Sequence, residues 1–159
     1  MANMHTPEES AINEHSCALA CIVSLARDCG VSVTQGDLIA KYTPQIPKWQ
    51  ATPGLLNLTE MIGFLRVLLN AKACVITDDK TECLRLLQEA DTIGGFVITK
   101  KYWDENGNLA DFNHCRRIVR FSGDGLMLMN PKQQGQADTV GWKWDALGLW
   151  QAFALVVKA

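Results

Sequence analysis

The sequence predicts an α+β domain in which helices come first and antiparallel strands follow. Apolar residues recur at helical spacing over residues 17–29, and capping patterns at Asn57 and Asp79 open two further helices. From residue 94 onwards, strand-like runs alternate with turn signals, of which Asn106-Gly107 is the strongest because it supplies the positive φ angles of a tight hairpin. Helices followed by a run of strands are typical of the α+β class.

The first predicted helix begins at Cys17 and ends before Gly30, which suits a left-handed stop. Ser16 is expected to cap it by accepting a bond from an early backbone N–H. Its buried face consists of Leu19, Ile22, Val23 and Ala26. Cys17 falls in the first turn, beside unpaired N–H groups and the positive end of the helix dipole, so we expect its pKa to be lowered.

The other segments are assigned in order along the chain. Residues 1–12 are a loose arm or a short helix. A short helix is predicted at 37–42, a proline-containing loop at 43–54, helices at 57–70 and 79–90, and a strand at 73–77. Strands are predicted at 94–100, 114–121, 126–129 and 152–157, with a polar loop at 132–140 and a helical turn within 142–149.

Length and composition limit the classes of function. The 159 residues suit a single domain, 1–159, and 48% hydrophobic with 20% charged residues is ordinary for a globular protein. A net charge of −2 without a basic block gives no electrostatic case for nucleic acid. No apolar run is long enough for membrane insertion, and the polar start lacks an export segment. We expect a cytoplasmic product, or one delivered by a dedicated secretion system.

The six cysteines are 17, 21, 29, 74, 83 and 115. Most are expected to be small buried hydrophobic residues, because a disulfide framework belongs to exported chains. Zinc is an alternative, since His15, Cys17 and Cys21 with a later His114 or Cys115 offer suitable ligand types. It is disfavoured because no Cys-x-x-Cys occurs, and because Cys115 should point to the opposite face of its strand from His114. No metal or cofactor is predicted.

A cysteine nucleophile needs a base, and histidine titrates nearest neutral pH. His5 lies in the loose arm and His15 two residues before Cys17, whereas His114 opens a predicted strand. Asn130 ends the next strand, which a tight turn connects to the first. Antiparallel pairing therefore allows Asn130 to fix the tautomer of His114 through its amide oxygen.

These segments resemble the papain-like cysteine peptidases. Cys17-Ala18-Leu19-Ala20-Cys21, followed by the stretch 31–38, is similar to the opening of the C39-like group, which includes bacteriocin-leader peptidases. The stretch 123–131, ending in Asn130-Pro131, is similar to that family's tight turn and Asp/Asn-Pro ending after its histidine strand. The resemblance covers most of the chain in order, and its middle matches only as generic helix and strand.

The resemblance implies a papain-like fold and assigns roles to three residues. Cys17 would be the nucleophile, His114 the general base and then acid, and Asn130 the orienting group. Two positions depart from the family pattern: Ala11 stands where a glutamine donates to the oxyanion, and Ala18 replaces a glycine. Asn13 is a substitute candidate for the missing oxyanion donor.

The expected function is hydrolysis of peptide or amide bonds through a thioester intermediate, in a bacterial toxin or effector. The expected partners are a peptide or protein substrate and an inhibitor or immunity protein. A deamidase, amidase or acyltransferase is an alternative, because the same chemistry serves all of them and the fold does not fix the substrate. A catalytically dead relative that binds a peptide or protein partner is the non-enzymatic alternative, favoured by Ala11.

Overall fold

The structure is a computed structural model that describes residues 8–103, 109–133, 135–148 and 151–159; for 100–103, 109–113 and 148 it describes the backbone alone. These residues form a mixed helical and antiparallel-sheet structure, which confirms the predicted α+β class. The predicted turn at Asn106-Gly107 and the histidine at position 5 lie outside the described residues. The helices in the described part of the chain are too short or too polar to span a bilayer.

Five α-helices are present in the described residues: α1 (Cys17–Asp28), α2 (Gln35–Tyr42), α3 (Leu58–Leu69), α4 (Lys80–Gln88) and α5 (Trp144–Gly148). The proline-containing loop holds two 3₁₀ turns, Thr43–Gln45 and Pro47–Gln50. The predicted cap of α3 is confirmed as a full capping box, in which Asn57 and Glu60 each accept from the other's backbone N–H. Asp79 likewise caps α4 by accepting from the Glu82 N–H.

The predicted cap of α1 is wrong. The Ser16 hydroxyl makes no bond to the first turn of α1 and instead accepts from the backbone N–H groups of Ile12 and Asn13, at 3.1 and 3.4 Å. Ser16 is completely buried, so its oxygen satisfies the loop that precedes the helix. Gly30 does adopt the left-handed backbone expected after the helix, with φ of 79°.

The strands form one antiparallel sheet in the order β1-β6-β2-β3-β4-β5. Their bounds are β1 Ala73–Thr77, β2 Thr92–Trp103, β3 Leu109–Ser122, β4 Gly125–Asn130, β5 Asp138–Lys143 and β6 Ala152–Lys158. β5 corrects the end of the loop predicted at 132–140, whereas the helical turn predicted within 142–149 is present as α5. It is an edge strand with a largely solvent-accessible, polar sequence, so it carries little of the apolar pattern from which strands are predicted.

Helices cover both faces of the sheet. On one face, Leu19, Ile22 and Leu25 of α1 belong to a core that includes Phe96 of β2 and Leu155 of β6. On the other face, α4 and α5 pack on a second core that includes Val97, Ile118 and Val156. Successive strand residues point to opposite faces, which is why Phe96 and Val97 belong to different cores. One face of the sheet therefore packs against α1.

Candidate active site

Cys17 is the first residue of α1 and lies at a cleft between the helices and the sheet. The first bond of the helical ladder runs from the Ala20 N–H to the Ser16 carbonyl, so the N–H groups of the first turn lie outside that ladder. The cleft measures about 360 Å³, and Cys17, Ala18, His15, His114 and Cys115 all line it. The structure thus brings the predicted nucleophile and the predicted base to one cavity.

His114 and Asn130 come together where β3 and β4 part. The described pairing of these strands begins at Arg117 with Met129, and the two site residues lie just beyond that pair. The Nε2 atom of His114 is 2.6 Å from Oδ1 of Asn130. A carbonyl oxygen only accepts, so Nε2 donates and Nδ1 keeps the ring's basic lone pair. The predicted orienting contact is present.

A bulge precedes His114 on β3. His114 pairs with Thr99, but Lys101 pairs with Asp111, so β3 has one more residue than β2 in this interval. Such bulges re-aim side chains and are frequent next to active sites. The Thr99 hydroxyl donates to the His114 carbonyl at 3.3 Å, which holds the backbone beside the bulge.

α1 packs against β3. The Cys21 thiol, one turn after Cys17, donates to the Cys115 carbonyl at 3.4 Å. Cys115 is buried in the core beneath α1. All six cysteines are free: Cys21, Cys83 and Cys115 are buried, Cys17 and Cys74 are half-buried, and Cys29 is exposed.

The resting thiol and imidazole are both neutral. Packing around the thiol raises the pKa of Cys17 to about 11, and the Cys115 thiol adds to this, although backbone N–H groups of Cys115, Ala18 and Cys17 oppose it. Burial lowers the pKa of His114 to about 4, helped by the Arg116 charge and opposed by the bond to Asn130. The expected low pKa of Cys17 is therefore wrong, because loss of solvation outweighs the favourable position at the start of a helix.

The side chain of Asn13 forms two hydrogen bonds to loop backbone. Its Nδ2 donates to the Pro53 carbonyl at 3.0 Å, and its Oδ1 accepts from the His15 N–H at 2.7 Å. Asn13 is not among the residues that line the cleft. Ala11 is buried, and its N–H donates to the Pro131 carbonyl.

Residues 8–12, which we call the strap, connect the two sides of the site. The buried Gln35 side chain on α2 donates to the Ser10 carbonyl at 2.7 Å and accepts from the Ile12 N–H at 3.3 Å. On the other side, Ser10 Oγ accepts from the Ala137 N–H, and Glu8 accepts from the Thr139 hydroxyl. The strap thereby ties the segment after Asn130 to the loop before Cys17.

The remaining wall of the cleft is apolar and was not foreseen from the sequence. It consists of Leu55, Leu56, Leu58, Met61, Ile98 and Phe153. The start of α3 supplies much of this wall, and the Asn57 cap was the sequence signal for that helix. A hollow of about 470 Å³ on the outer strands is larger, but no cysteine or histidine lines it, so the Cys17 cleft is the stronger candidate.

No group of three or more His, Cys, Asp or Glu side chains in the described part of the chain could hold a metal ion. No protein-family model matches the sequence, and no curated protein matches it significantly. The chemistry of the cleft is therefore the basis for a functional assignment.

Proposed function

We propose that this chain is a papain-like cysteine hydrolase that acts on peptide or amide bonds. The observation that carries the proposal is the presence at one cleft of Cys17 and of His114, whose ring is hydrogen-bonded to Asn130. A thiol, a base and a group that orients the base are the parts of an activated nucleophile. Their order along the chain is the order of the family that the sequence resembles.

In the proposed reaction, Nδ1 of His114 accepts the thiol proton as Cys17 Sγ attacks the acyl carbon. The resulting tetrahedral intermediate collapses to a thioester when the imidazolium returns the proton to the leaving amine. The imidazole then takes a proton from water as the water attacks the thioester carbon. The second tetrahedral intermediate breaks its C–S bond and releases the acid, and the imidazolium returns the proton to the Cys17 sulfur. Because the pKa of the Cys17 thiol is raised and that of the His114 imidazole is lowered, the proton transfer between them belongs to the reaction and not to the resting state.

The test is acylation by p-nitrophenyl acetate, an ester with no peptide specificity. We expect release of nitrophenolate and an acetyl group on Cys17, located by peptide mass spectrometry. His114→Ala should slow acylation by about 10² to 10⁴, the usual contribution of a general base. Cys29→Ser is the matched control, because it removes an exposed thiol outside the cleft. Acetylation of Cys17 no faster than that of Cys29, or unaffected by His114→Ala, would contradict the proposal.

A peptide-binding protein without catalysis is the second candidate. The raised pKa of Cys17 and the commitment of Asn13 to loop contacts favour it. In that case the apolar cleft would bind a peptide, and Cys17→Ala would leave binding intact while no acylation occurs. The deamidase, amidase and acyltransferase alternatives share the acylation step and are separated by profiling peptide substrates and acceptors.

A further inference from the structure

A thiol hydrolase needs a hydrogen-bond donor for the oxygen that becomes negative in the tetrahedral intermediate, and this inference rests on the proposed function. One donor is the Cys17 backbone N–H, which belongs to the first turn of α1. A second donor must come from a side chain or backbone group at the cleft. Ala11 has no polar side-chain atom, and its own N–H is bonded to Pro131.

Two hydrogen bonds already occupy the Asn13 amide, so it does not serve as the second oxyanion donor. Its amide nitrogen donates to Pro53, and its amide oxygen accepts from the backbone of His15. The second of these bonds has a useful consequence, because it fixes the backbone of a residue that does line the cleft. His15 is two residues before Cys17, and its side chain is 29% exposed.

Apart from His114 and the cysteines, the other polar side chains that line the cleft have structural roles at the start of α3. Asn57 belongs to the capping box, and Lys48 forms an ion pair with Glu60 of the same box. His15 lines the same cleft as Cys17 and takes no part in the capping box of α3. Its Nε2 is 3.3 Å from the Glu14 carboxylate, which restrains the ring from the solvent side.

We propose that His15 donates the second hydrogen bond to the oxyanion of the acyl group attacked by Cys17. Nε2 of the ring lies against Glu14, and Nδ1, the other ring nitrogen, is the donor to the oxyanion when it carries the hydrogen. No covalent bond to His15 forms or breaks. His15 thus replaces, from a different position in the sequence, the donor that Ala11 cannot provide.

The experiment compares two reactions of the same thiol in wild type, His15→Leu and His15→Gln. Acylation by p-nitrophenyl acetate passes through an oxyanion, whereas alkylation by iodoacetamide is a direct displacement and does not. We expect His15→Leu to slow acylation of Cys17 by about 10², the usual effect of losing one such donor. Its alkylation rate should stay within about twofold of wild type, and His15→Gln, which keeps an N–H donor, should recover most of the acylation rate. Exposed Cys29 is the internal reference for each reagent.

The outcomes separate this inference from the proposed function. Equal loss of both reactions in His15→Leu would overturn the inference, because His15 would then affect the shape of the cleft or the reactivity of the thiol and not the oxyanion. An unchanged acylation rate would also overturn it. Wild-type protein that fails to acetylate Cys17 at all would overturn the proposed function, and the His15 role with it.

Discussion

The Nε2 atom of His114 donates to Oδ1 of Asn130 across 2.6 Å, joining β3 to β4 at the point where their pairing ends. This bond fixes the tautomer in which Nδ1 is basic. The orientation of His114, the base in the proposed reaction, therefore depends on one amide oxygen.

Replacing Asn130 by alanine should remove that restraint. We expect acylation of Cys17 to slow by about tenfold to a hundredfold, a part of the 10² to 10⁴ that a general base contributes. Asn130→Asp keeps an acceptor oxygen and is the matched control, expected to retain more of the rate. Stopped-flow acylation with p-nitrophenyl acetate measures both. Equal rates in wild type and Asn130→Ala would show that the bond does not orient the base.

The raised pKa of Cys17 predicts a specific pH dependence of alkylation. Below a pKa of about 11 the thiolate fraction rises tenfold with each pH unit, so the iodoacetamide rate of native Cys17 should keep rising through pH 9 and 10. In urea-unfolded protein the ordinary value of 9.0 applies, so at pH 8 the thiolate fraction should be about 10²-fold greater than in native protein. Peptide-resolved alkylation gives the two profiles. A native plateau near neutral pH would reveal a thiolate–imidazolium pair instead.

The lowered pKa of His114 predicts a loss of stability in acid. The unfolded chain binds a proton as the pH falls through 6.5, but the folded chain binds it only near 4, so unfolding takes up protons between these values. The free energy of unfolding should therefore fall by about 3 kcal/mol from this group as the pH drops from 7 to 4. His114→Gln removes the contribution, so urea unfolding at the two pH values should show a smaller acid loss in the variant. Equal losses would contradict the shift.

We expect the buried ion pair between Arg117 of β3 and Asp28 of α1 to be essential for holding α1 against the sheet. Their side chains are 3% and 4% exposed, the charged atoms are 2.5 Å apart, and Arg117 also donates to Ser24 at 2.9 Å. Removing one partner of a buried pair leaves an uncompensated charge, so Arg117→Met should cost about 3 to 5 kcal/mol of unfolding free energy. Denaturant unfolding checks this. The double variant Arg117→Met/Asp28→Leu should recover part of the loss, and no recovery would show that packing alone is responsible.

The sequence predicted the features that local chemistry determines. The caps of α3 and α4, the glycine stop of α1 and the proximity of Asn130 to His114 follow from neighbouring residues or from one tight turn. The features it missed depend on distant residues. The pKa of Cys17 is set by packing against β3, nearly a hundred residues away in the sequence. The Ser16 hydroxyl forms its hydrogen bonds with the loop before α1 and not with the helix. β5 was not predicted from the sequence, because an exposed edge strand needs no apolar pattern.

The contacts of the strap also affect when, during synthesis of the chain, the residues of the site come together. Its contacts with Ala137 and Thr139 join residues 127 and 131 positions apart, so they form only after residue 139 has been synthesised. A nascent chain that has emerged only as far as β3 contains Cys17 and His114 but lacks Asn130 and the segment that the strap binds. At about 5 to 20 residues per second, translation separates the appearance of the thiol from that of its oriented base by several seconds. The proposed thiol chemistry would therefore begin only after Asn130 and the segment that the strap binds have been synthesised.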